Sequence, residues 1–353
     1  MVDTRPSYLN DLDQRPALLS ASGLRKVFGS RSSQITALDG LDLAVYQGEL
    51  LSLLGPAGSG KSAVLAVIAG LEKADSGRIL LGGQDIPKGS HGIGLASTAF
   101  AARHSVHDVL TSALKIGGVG RRETDAELGD LLKRIGYQGA PEARAGDLPA
   151  QQQLLLALAV QAAAGAQVVL LDDPLGPVDR TLRDRTQDEI RVAQEEFGLT
   201  LIVATRNAQQ ALSLSDRVAV ILAGRIVQAG SPSEVYERPA SERVAALVGA
   251  VNLIEPGAAV QLLNQTATFS VRPEKIRVVG EGYRAAPDEV LATGTVQRIL
   301  YGGATSTVTV RLDAEGAQIQ VLRLNSAAPE DIPVTGGQRV TVVWPRRHAV
   351  RFA

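Results

Sequence analysis

The segment that most constrains the fold of this chain runs from Gly55 to Ser62 and reads Gly-Pro-Ala-Gly-Ser-Gly-Lys-Ser. It matches the pattern G-x-x-x-x-G-K-[S/T] at every fixed position. Glycines in such a loop let successive backbone N–H groups turn toward a phosphate, and the helix that follows presents its positive end to the same anion. The flanks agree, because residues 50–54 read as a buried strand and residues 63–69 as a helix. The segment therefore predicts a strand, a phosphate-binding loop and a helix in that order.

The residue types in this loop predict a nucleotide with its metal ion. Lys61 is expected to reach the β- and γ-phosphates, and the Ser62 hydroxyl is expected to ligate Mg²⁺. ATP and Mg²⁺ are therefore the predicted cofactors. The predicted ATP contacts in and beside the loop are Gly55, Pro56, Ala57, Gly58, Ser59, Gly60, Lys61, Ser62 and Ala63.

A second segment supplies the carboxylates that such a loop requires. Residues 168–173 read Val-Val-Leu-Leu-Asp-Asp, which is typical of a buried strand that ends in acidic residues. Asp172 is expected to hold Mg²⁺ through water, so Ser62 and Asp172 form the predicted metal site. Asp173 stands where a general base could orient the attacking water.

Composition excludes several other classes of function. The chain has 353 residues, a net charge of -1, 3% aromatic residues and no cysteine. These values argue against a nucleic-acid surface, disulfide bonds and a thiol nucleophile. Since no apolar run reaches the ~18–20 residues of a membrane span and the N-terminus lacks a signal-peptide core, we expect a cytosolic chain. Any membrane contact is expected to run through a partner.

The pattern of apolar residues divides the chain into several regions. Between residues 21 and 240, short apolar runs alternate with helical stretches, which predicts an α/β domain with a mostly parallel sheet. Residues 257–353 contain short alternating strands and turns, which predict a small all-β, barrel-like domain. Residues 241–256 are the predicted linker. Residues 1–20 are expected to be an extension, either a docking arm or a partly ordered tail, and we favour the tail.

Several segments together resemble the ATP-binding-cassette (ABC) transporter ATPases of the importer type, which carry a C-terminal TOBE domain. The firmest stretches are residues 48–70, 170–179, 216–239 and the β-rich region, including Gly224–Tyr236 and Val271–Ile276. The resemblance implies a P-loop NTPase cassette with a helical subdomain. It also implies that Phe28 stacks on adenine, although a core position fits Phe28 equally well. Asp179 falls at the end of the family's D-loop, Leu175–Asp179.

The chain departs from the family at its signature. The family's L-S-G-G-Q-Q-Q-R motif aligns without a gap onto Leu148, Pro149, Ala150, Gln151, Gln152, Gln153, Leu154 and Leu155. In the family, this segment starts a helix and binds the γ-phosphate of the ATP that is held by the opposite subunit. Pro149 has no N–H to donate, and Ala150 and Gln151 add Cβ atoms at the contact. Because proline favours the start of a helix, we expect the helix to persist and the contact with the γ-phosphate to be lost.

Three further positions that serve hydrolysis in the family also differ. Asp173 replaces the catalytic Glu and retracts the carboxylate by one methylene. Arg206 replaces the switch His; it cannot relay a proton, but it can bind a γ-phosphate. Thr98 replaces the Q-loop Gln, and the loop after it is shortened. We therefore expect ATP binding with weak hydrolysis.

The resemblance also implies partners. These are integral-membrane permease subunits, a solute-binding protein indirectly, and a second ABC ATPase at a head-to-tail interface. A heterodimer with a more intact ATPase is favoured and a homodimer remains open. We expect the chain at the cytoplasmic face of the membrane, held there by the permease.

Two other interpretations compete with a motor subunit. One is a non-hydrolysing regulatory or scaffold subunit, which the departures favour. The other is a soluble ABC protein that acts on nucleic acid, which the net charge and the scarcity of aromatics disfavour.

Overall fold

The computed structural model describes residues 16–30, 33–86, 92–101, 103–280, 283–325 and 334–352. The chain divides into two compact units, Met1–Pro232 and Ser233–Ala353. Residues 1–15 of the predicted extension lie outside the described part, and residues 17–20 already belong to the first strand. Among the described residues, no helix has the length and apolar character needed to cross a bilayer.

The first unit combines two sheets with helices. Its strands are β1 (Ala17–Ser30), β2 (Ser33–Tyr46), β3 (Leu50–Leu54), β4 (Ser76–Leu81), β5 (Gln84–Asp85), β6 (Ile93–Leu95), β7 (Val168–Asp172), β8 (Thr200–Thr205), β9 (Arg217–Leu222) and β10 (Arg225–Gly230). Its helices are α1 (Lys61–Ile68), α2 (Val106–Ile116), α3 (Thr124–Arg134), α4 (Ala150–Ala163), α5 (Arg183–Phe197) and α6 (Ala208–Leu214).

The six-stranded sheet has the order β10-β9-β3-β8-β7-β6. It is parallel from β9 to β6, and β10 joins it as an antiparallel edge. A separate antiparallel sheet has the order β2-β1-β4-β5. In the parallel sheet, β3 and β7 end at the same edge, which brings the residues that follow them together.

Alternating side chains of the central strands reach two different cores. Leu51 and Leu53 of β3 pack with α1 and the antiparallel sheet, whereas Leu50 packs with α2, α3, α4 and α5. Successive side chains of a strand point to opposite faces of the sheet, so this alternation shows that β3 is buried on both faces. The α2, α3 and α4 helices pack against one another within the core that also contains α5.

The sequence-based prediction of a mostly parallel α/β domain is confirmed. The long strands β1 and β2 were missed because their register shifts four times, including between Ala21 and Leu24, and this breaks the alternation of apolar residues. The sequence pattern predicts one helix over Arg180–Glu196, whereas the structure has a 3₁₀ turn, Arg180–Leu182, followed by α5. The α2 helix was also missed, although Ser105 and Asp108 form a capping box at its start.

The second unit is built mainly from antiparallel strands. Its helices are α7 (Pro232–Glu237), α8 (Glu242–Val248) and α9 (Pro256–Leu263). Its strands are β11 (Asn252–Ile254), β12 (Phe269–Val271), β13 (Arg277–Val279), β14 (Glu289–Tyr301), β15 (Thr305–Leu312), β16 (Gln318–Leu324), β17 (Arg339–Pro345) and β18 (Val350–Arg351). The sheets have the orders β11-β12-β18 and β13-β17-β14-β15-β16.

Both sheets of this unit enclose one apolar core that contains Phe269 and Trp344, each fully buried. The prediction of a small all-β, barrel-like domain is confirmed, and the pairing of its strands is antiparallel throughout the described residues. The predicted linker, residues 241–256, contains α8 and also β11, which pairs with β12. The domain boundaries themselves stay a prediction.

Asn252 occupies an unusual place in this unit. Its amide nitrogen donates to the Gln320 carbonyl at 2.8 Å, and its amide oxygen accepts from the Gln320 N–H at 2.6 Å. Gln320 lies on β16, the last strand in its sheet order. The side chain thus satisfies the two backbone groups that a further strand would otherwise pair.

Arg272 is a buried hub in the same unit. Its guanidinium donates to the carbonyls of Tyr236, Ala245, Gly249 and Ala250 at 2.9–3.2 Å. It also lies 4.1 Å from the centre of the Tyr236 ring. The last residues of α7 and the end of α8 are therefore held by one planar cation, which satisfies helix-end carbonyls.

Candidate nucleotide-binding site

The Gly55–Ser62 loop connects β3 to α1, as the sequence predicts. Gly58 and Gly60 have φ values of +74° and +107°, which L side chains rarely adopt. Lys61 is buried, and its ammonium donates to the carbonyls of Gly55 and Pro56, each at 2.8 Å. Gly60 is the N-cap of α1 and contributes no side-chain cap, so the first N–H groups of α1 are available to an anion.

The backbone of β2, of β9 and of the β9–β10 turn packs directly against this loop. A Cβ on Gly60 would lie 2.5 Å from the Ala37 carbonyl oxygen, and one on Gly55 would lie 2.4 Å from the Ile221 carbonyl oxygen. The Gly224 N–H donates to the Ser59 carbonyl at 2.9 Å. The β9–β10 turn and β2 therefore fix the shape of the loop.

Ser62 and Asp172 meet at the predicted metal position. The Ser62 hydroxyl donates to Asp172 Oδ2 at 2.7 Å, although the two residues are 110 apart in sequence. Both are exposed at the carboxyl edge of the parallel sheet. A hydroxyl and a carboxylate are hard oxygen ligands of the kind that Mg²⁺ binds, so this pair fits the ion. When bound, Mg²⁺ would neutralise phosphate charge, and Ser62 and Asp172 would position it.

The charges around Lys61 mark the centre of the site. Burial lowers the pKa of Lys61, Asp172 opposes this shift, Arg206 adds to it and Asp173 opposes it. The loop thus lies in the combined field of two carboxylates and one guanidinium.

Asp173 has a backbone that suits a short side chain. Its φ is +47°, a left-handed conformation that Asp tolerates better than most residues, and its N–H donates to the Ala204 carbonyl at 2.8 Å. A Cβ on Gly176 would lie 3.0 Å from Asp173 Oδ2. The carboxylate therefore packs against the turn that follows β7.

Arg206 faces Asp173 across the end of β8. Its guanidinium lies 3.9 Å from Asp173 Oδ2, with the two side chains 65% and 41% exposed. Both line a cavity of about 590 Å³ together with Gly176, Arg183 and Asn207. The structure thus places a permanent positive charge beside the residue in the base position.

Thr98 also lies close to the two acidic residues. It follows β6 and lines a cavity of about 230 Å³ whose wall includes Asp172, Asp173 and Pro174. The structure therefore brings Thr98, Asp172, Asp173 and Arg206 to the same edge of the sheet as the loop. A threonine hydroxyl can donate a hydrogen bond there, but it is shorter than a glutamine amide.

The segment at the signature position opens a helix, in agreement with the prediction. Pro149 is the N-cap of α4, one residue before the helix begins at Ala150, and it makes no side-chain cap. The Gln151 amide bonds to Glu189 of α5. The Gln153 amide donates to the carbonyls of Gly146 and Leu148 at 2.9 and 2.8 Å. The start of α4 is thus tied to its own subunit.

This segment borders a cavity of its own. Pro149, Gln151 and Gln152 line about 640 Å³ between the end of α3, the start of α4 and α5. None of the residues that hold the loop or the metal position lines it. Within the described residues, the signature position and the loop therefore belong to different surfaces.

Two further candidates lie apart from the acidic cluster. Asp179 is the N-cap of the 3₁₀ turn and accepts from the Thr181 N–H at 3.4 Å. Phe28 is 37% exposed on β1, so it is not a core residue. The Lys26 ammonium lies 4.9 Å from the centre of its ring. Adenine stacking on Phe28 stays a prediction.

Comparison with known proteins identifies the family. The Fe(3+) ions import ATP-binding protein FbpC of Streptomyces coelicolor is 33% identical over 357 residues, which cover 92% of this chain and 99% of that protein. This chain belongs to the ABC transporter ATP-binding proteins. The ABC transporter family model matches residues 38–176 of this ABC protein, and the TOBE domain model matches residues 269–352.

Other similarities agree with this assignment. The spermidine/putrescine import ATP-binding protein PotA of Acidothermus cellulolyticus is 31% identical, covering 96% of this chain and 95% of that protein. The solved structure of cbiO1 from Clostridium perfringens, part of the ABC transporter complex cbiONQ, superposes with a TM-score of 0.56. It is 25% identical, and the match covers 62% of this ABC protein and 90% of cbiO1.

Sequence reasoning missed two supports of the site. Gly224 contacts the loop from the β9–β10 turn, where Ala223 and Gly224 both have positive φ. This signal was readable, because a Gly between two apolar β runs marks a tight hairpin. Arg183 lines the Arg206 cavity and donates to the Val178 carbonyl at 3.2 Å. Nothing local distinguishes Arg183 from other arginines of α5.

Gly224→Ala is expected to weaken ATP binding and to destabilise the first unit. The new Cβ would lie 2.6 Å from the Ala37 carbonyl oxygen, at a φ of +75°. Gly82→Ala is the matched control, because Gly82 has a φ of +58° but open space around its Cβ position. The control isolates the left-handed strain of about 1–2 kcal/mol. Equal effects of both substitutions on ATP affinity would contradict a role for the turn in holding the loop.

Proposed function

We propose that this ABC protein is the ATP-binding subunit of a membrane importer and works at the cytoplasmic face through permease subunits. Mg-ATP would bind at Gly55–Ser62 with Asp172. The observation that carries this proposal is the 2.7 Å bond between Ser62 and Asp172, which joins the intact loop to its metal-side carboxylate. The import ATP-binding relatives and the TOBE match support the transport role.

We further propose that intrinsic hydrolysis is weak. The side chain of Asp173 is one methylene shorter than that of Glu, so its carboxylate lies further from the attacking water. A misplacement near 1 Å can cost about 100-fold in rate. Arg206 cannot accept a proton at the switch position. Thr98 is too short to replace a glutamine amide, and Pro149 removes a donor from the signature position. These four features leave ATP binding intact while impairing the chemical step.

A partner with intact catalytic residues would compensate for these features. In a head-to-tail pair, each ATP site combines the loop of one subunit with the signature segment of the other. We therefore propose a heterodimer with a second ABC ATPase whose own site keeps its base and switch residues. A homodimer would carry every departure in both sites.

A second candidate function is a non-hydrolysing regulatory or scaffold subunit. The 3.9 Å ion pair of Asp173 and Arg206 favours this function, because the carboxylate at the base position lies next to a guanidinium that cannot accept a proton. In this case, transport should survive Lys61→Ala in this chain and fail after the matching change in its partner. A motor subunit should lose transport in both cases.

Purification of the tagged full chain from detergent-solubilised membranes of its host tests the importer role. We expect mass spectrometry to identify two permease subunits and a second ABC ATPase with intact Glu, His and signature residues. The untagged strain is the control for adventitious capture. Permeases with this chain as the sole ATPase would contradict the heterodimer, and the absence of any membrane protein would contradict the transport role.

A further inference from the structure

The cavity of about 640 Å³ between α3, α4 and α5 combines positive charge with apolar surface. Leu182 and Val192 line it and are 39% and 53% exposed. The charged part of its wall has three cations and one carboxylate, which are Lys133, Arg134, Arg185 and Glu189. This wall fits an occupant that carries large apolar side chains beside negative charge.

The positive charge of the wall is only partly balanced by its neighbours. Arg134 pairs with Asp130 at 2.7 Å, and Arg185 pairs with Glu189 at 2.9 Å. Lys133 has no ion-pair partner within the part of the chain that the structure describes. The side chain of Arg185 is 74% exposed and keeps further donors for a second carboxylate. Lys133 and Arg185 can therefore both bind the carboxylates of an occupant.

Residues 1–15 contain a segment with the required composition. They lie outside the described part of the chain, and residues 8–13 read Tyr-Leu-Asn-Asp-Leu-Asp. This run has three large apolar side chains, two carboxylates and no cation. Its charge and its apolar character thus match the cavity wall.

The start of β1 brings this segment within reach of the cavity. Ala17 pairs with Tyr46 at the end of β2. The turn that follows β2 accepts a hydrogen bond at 2.8 Å from Gln194 of α5, two residues after Val192. These contacts place Ala17 within about 25 Å of Val192, whereas nine extended residues span about 30 Å. The segment can therefore enter the cavity from the α5 side.

We propose that residues 8–13 dock in this cavity of their own chain, with their carboxylates on Lys133 and Arg185 and their apolar side chains on Leu182 and Val192. The cavity thus favours a docking arm over the tail that the sequence alone favours. High ionic strength should weaken the contact, since exposed charges are screened.

Docking would also affect the segment at the signature position. Pro149, Gln151 and Gln152 line the same cavity, so residues 8–13 cover them when they are bound. A partner ATPase that needs this face would then compete with the docked segment. This consequence rests on the proposed function, whereas the docking itself does not.

Cross-linking of paired cysteines in the full chain tests the docking, because the sequence has no cysteine and only introduced thiols react. One thiol is Ser7→Cys, which leaves residues 8–13 unchanged. The other is Val192→Cys at the cavity or, as the matched control, Gln47→Cys in the exposed turn after β2. A free tether favours position 47, which is nearer to Ala17. A docked segment should instead link to position 192 at least about tenfold faster through a short bismaleimide.

Charge exchange tests what holds the segment in place. Lys133→Glu together with Arg185→Glu should slow the link between positions 7 and 192 by about tenfold, because like charges then face each other. Asp11→Lys together with Asp13→Lys should restore that link in the same chain. Such a restoration cannot arise from a damaged fold.

Three results would overturn the docking. These are a link to position 47 that forms as fast as the link to position 192, a failure of the charge exchange to slow and restore the link, and links that join two chains rather than one. The reactions contain neither nucleotide nor partner. A negative result would therefore leave the proposed ATP-binding function standing, and a chain that binds no ATP would leave the docking standing.

Discussion

Arg272→Met should lower the free energy of unfolding of the second unit by about 3–5 kcal/mol. Methionine keeps much of the length of the side chain but removes every donor. The carbonyls of Tyr236, Ala245, Gly249 and Ala250 would then lose the hydrogen bonds that they accept from one guanidinium. Unpaired buried carbonyls are costly, and here they stand at helix ends.

The chain provides a selective probe for this measurement. Trp344 is the one tryptophan in the sequence, and it is fully buried in the core of the second unit. Its fluorescence during denaturant unfolding therefore follows this unit rather than the first. The expected shift is a lower midpoint at an unchanged slope.

Arg277→Met is the matched control for Arg272→Met. Arg277 lies in the same unit, but it is 59% exposed and pairs with Glu289 at 2.9 Å. Exposed pairs contribute about 0–1 kcal/mol, so the control should move the midpoint little. Arg272→Lys should remain destabilised, because a single ammonium cannot donate to four carbonyls. If Arg272→Met and Arg277→Met have similar effects, the hub interpretation is wrong.

Restoring the family residues should raise ATP turnover by about 100-fold or more, from a starting rate below about 1 per second. The base-side set is Thr98→Gln, Asp173→Glu and Arg206→His. The signature set is Pro149→Ser, Ala150→Gly and Gln151→Gly. Only a chain that carries both sets should gain this rate as a homodimer, because each composite site needs one set from each subunit.

Mixing the two half-restored variants gives a sharper test of the composite site. Neither variant alone should gain activity, but their mixture forms some heterodimers with one complete site. Lys61→Ala in the base-side variant should abolish the gain, whereas Lys61→Ala in the signature variant should not. An ordinary turnover rate in the unaltered chain would contradict weak hydrolysis outright.

Two structural details set limits on the restoration. The left-handed φ of +47° at residue 173 suits Asp better than Glu, so Asp173→Glu carries some backbone cost. Gln151→Gly removes the bond between α4 and Glu189. The unfolding midpoint of each variant should therefore be measured beside its turnover.

Local sequence was sufficient to predict the elements whose signals are short and strong. The loop from Gly55 to Ser62, β3, β7 and the start of α4 follow from glycine spacing, apolar runs and a proline. The meeting of Ser62 with Asp172 was also predictable, because the ends of parallel strands converge.

Other features depend on contacts that no local pattern encodes. The ion pair between Asp173 and Arg206 requires knowledge of where β7 and β8 end relative to each other. The cation over the Phe28 ring comes from Lys26 on the same strand, but its position is fixed by a bond from Lys26 to Glu72, 46 residues away. The four carbonyls at Arg272 converge only after α7 and α8 are in place.

The two hydrogen bonds between Asn252 and Gln320 also bear on the chemical ageing of this chain. Deamidation of Asn252 would replace its N–H₂ donor by a second acceptor. The Gln320 carbonyl would then face a carboxylate oxygen, and a buried charge would replace a satisfied amide. Deamidation of this one side chain could thereby leave the edge of β16 without its hydrogen-bond partner, next to Leu322 and Leu324, which are 38% and 72% exposed. Uncovered strand sides with apolar neighbours are places where chains aggregate, so we expect deamidation of Asn252 to increase association of the folded protein.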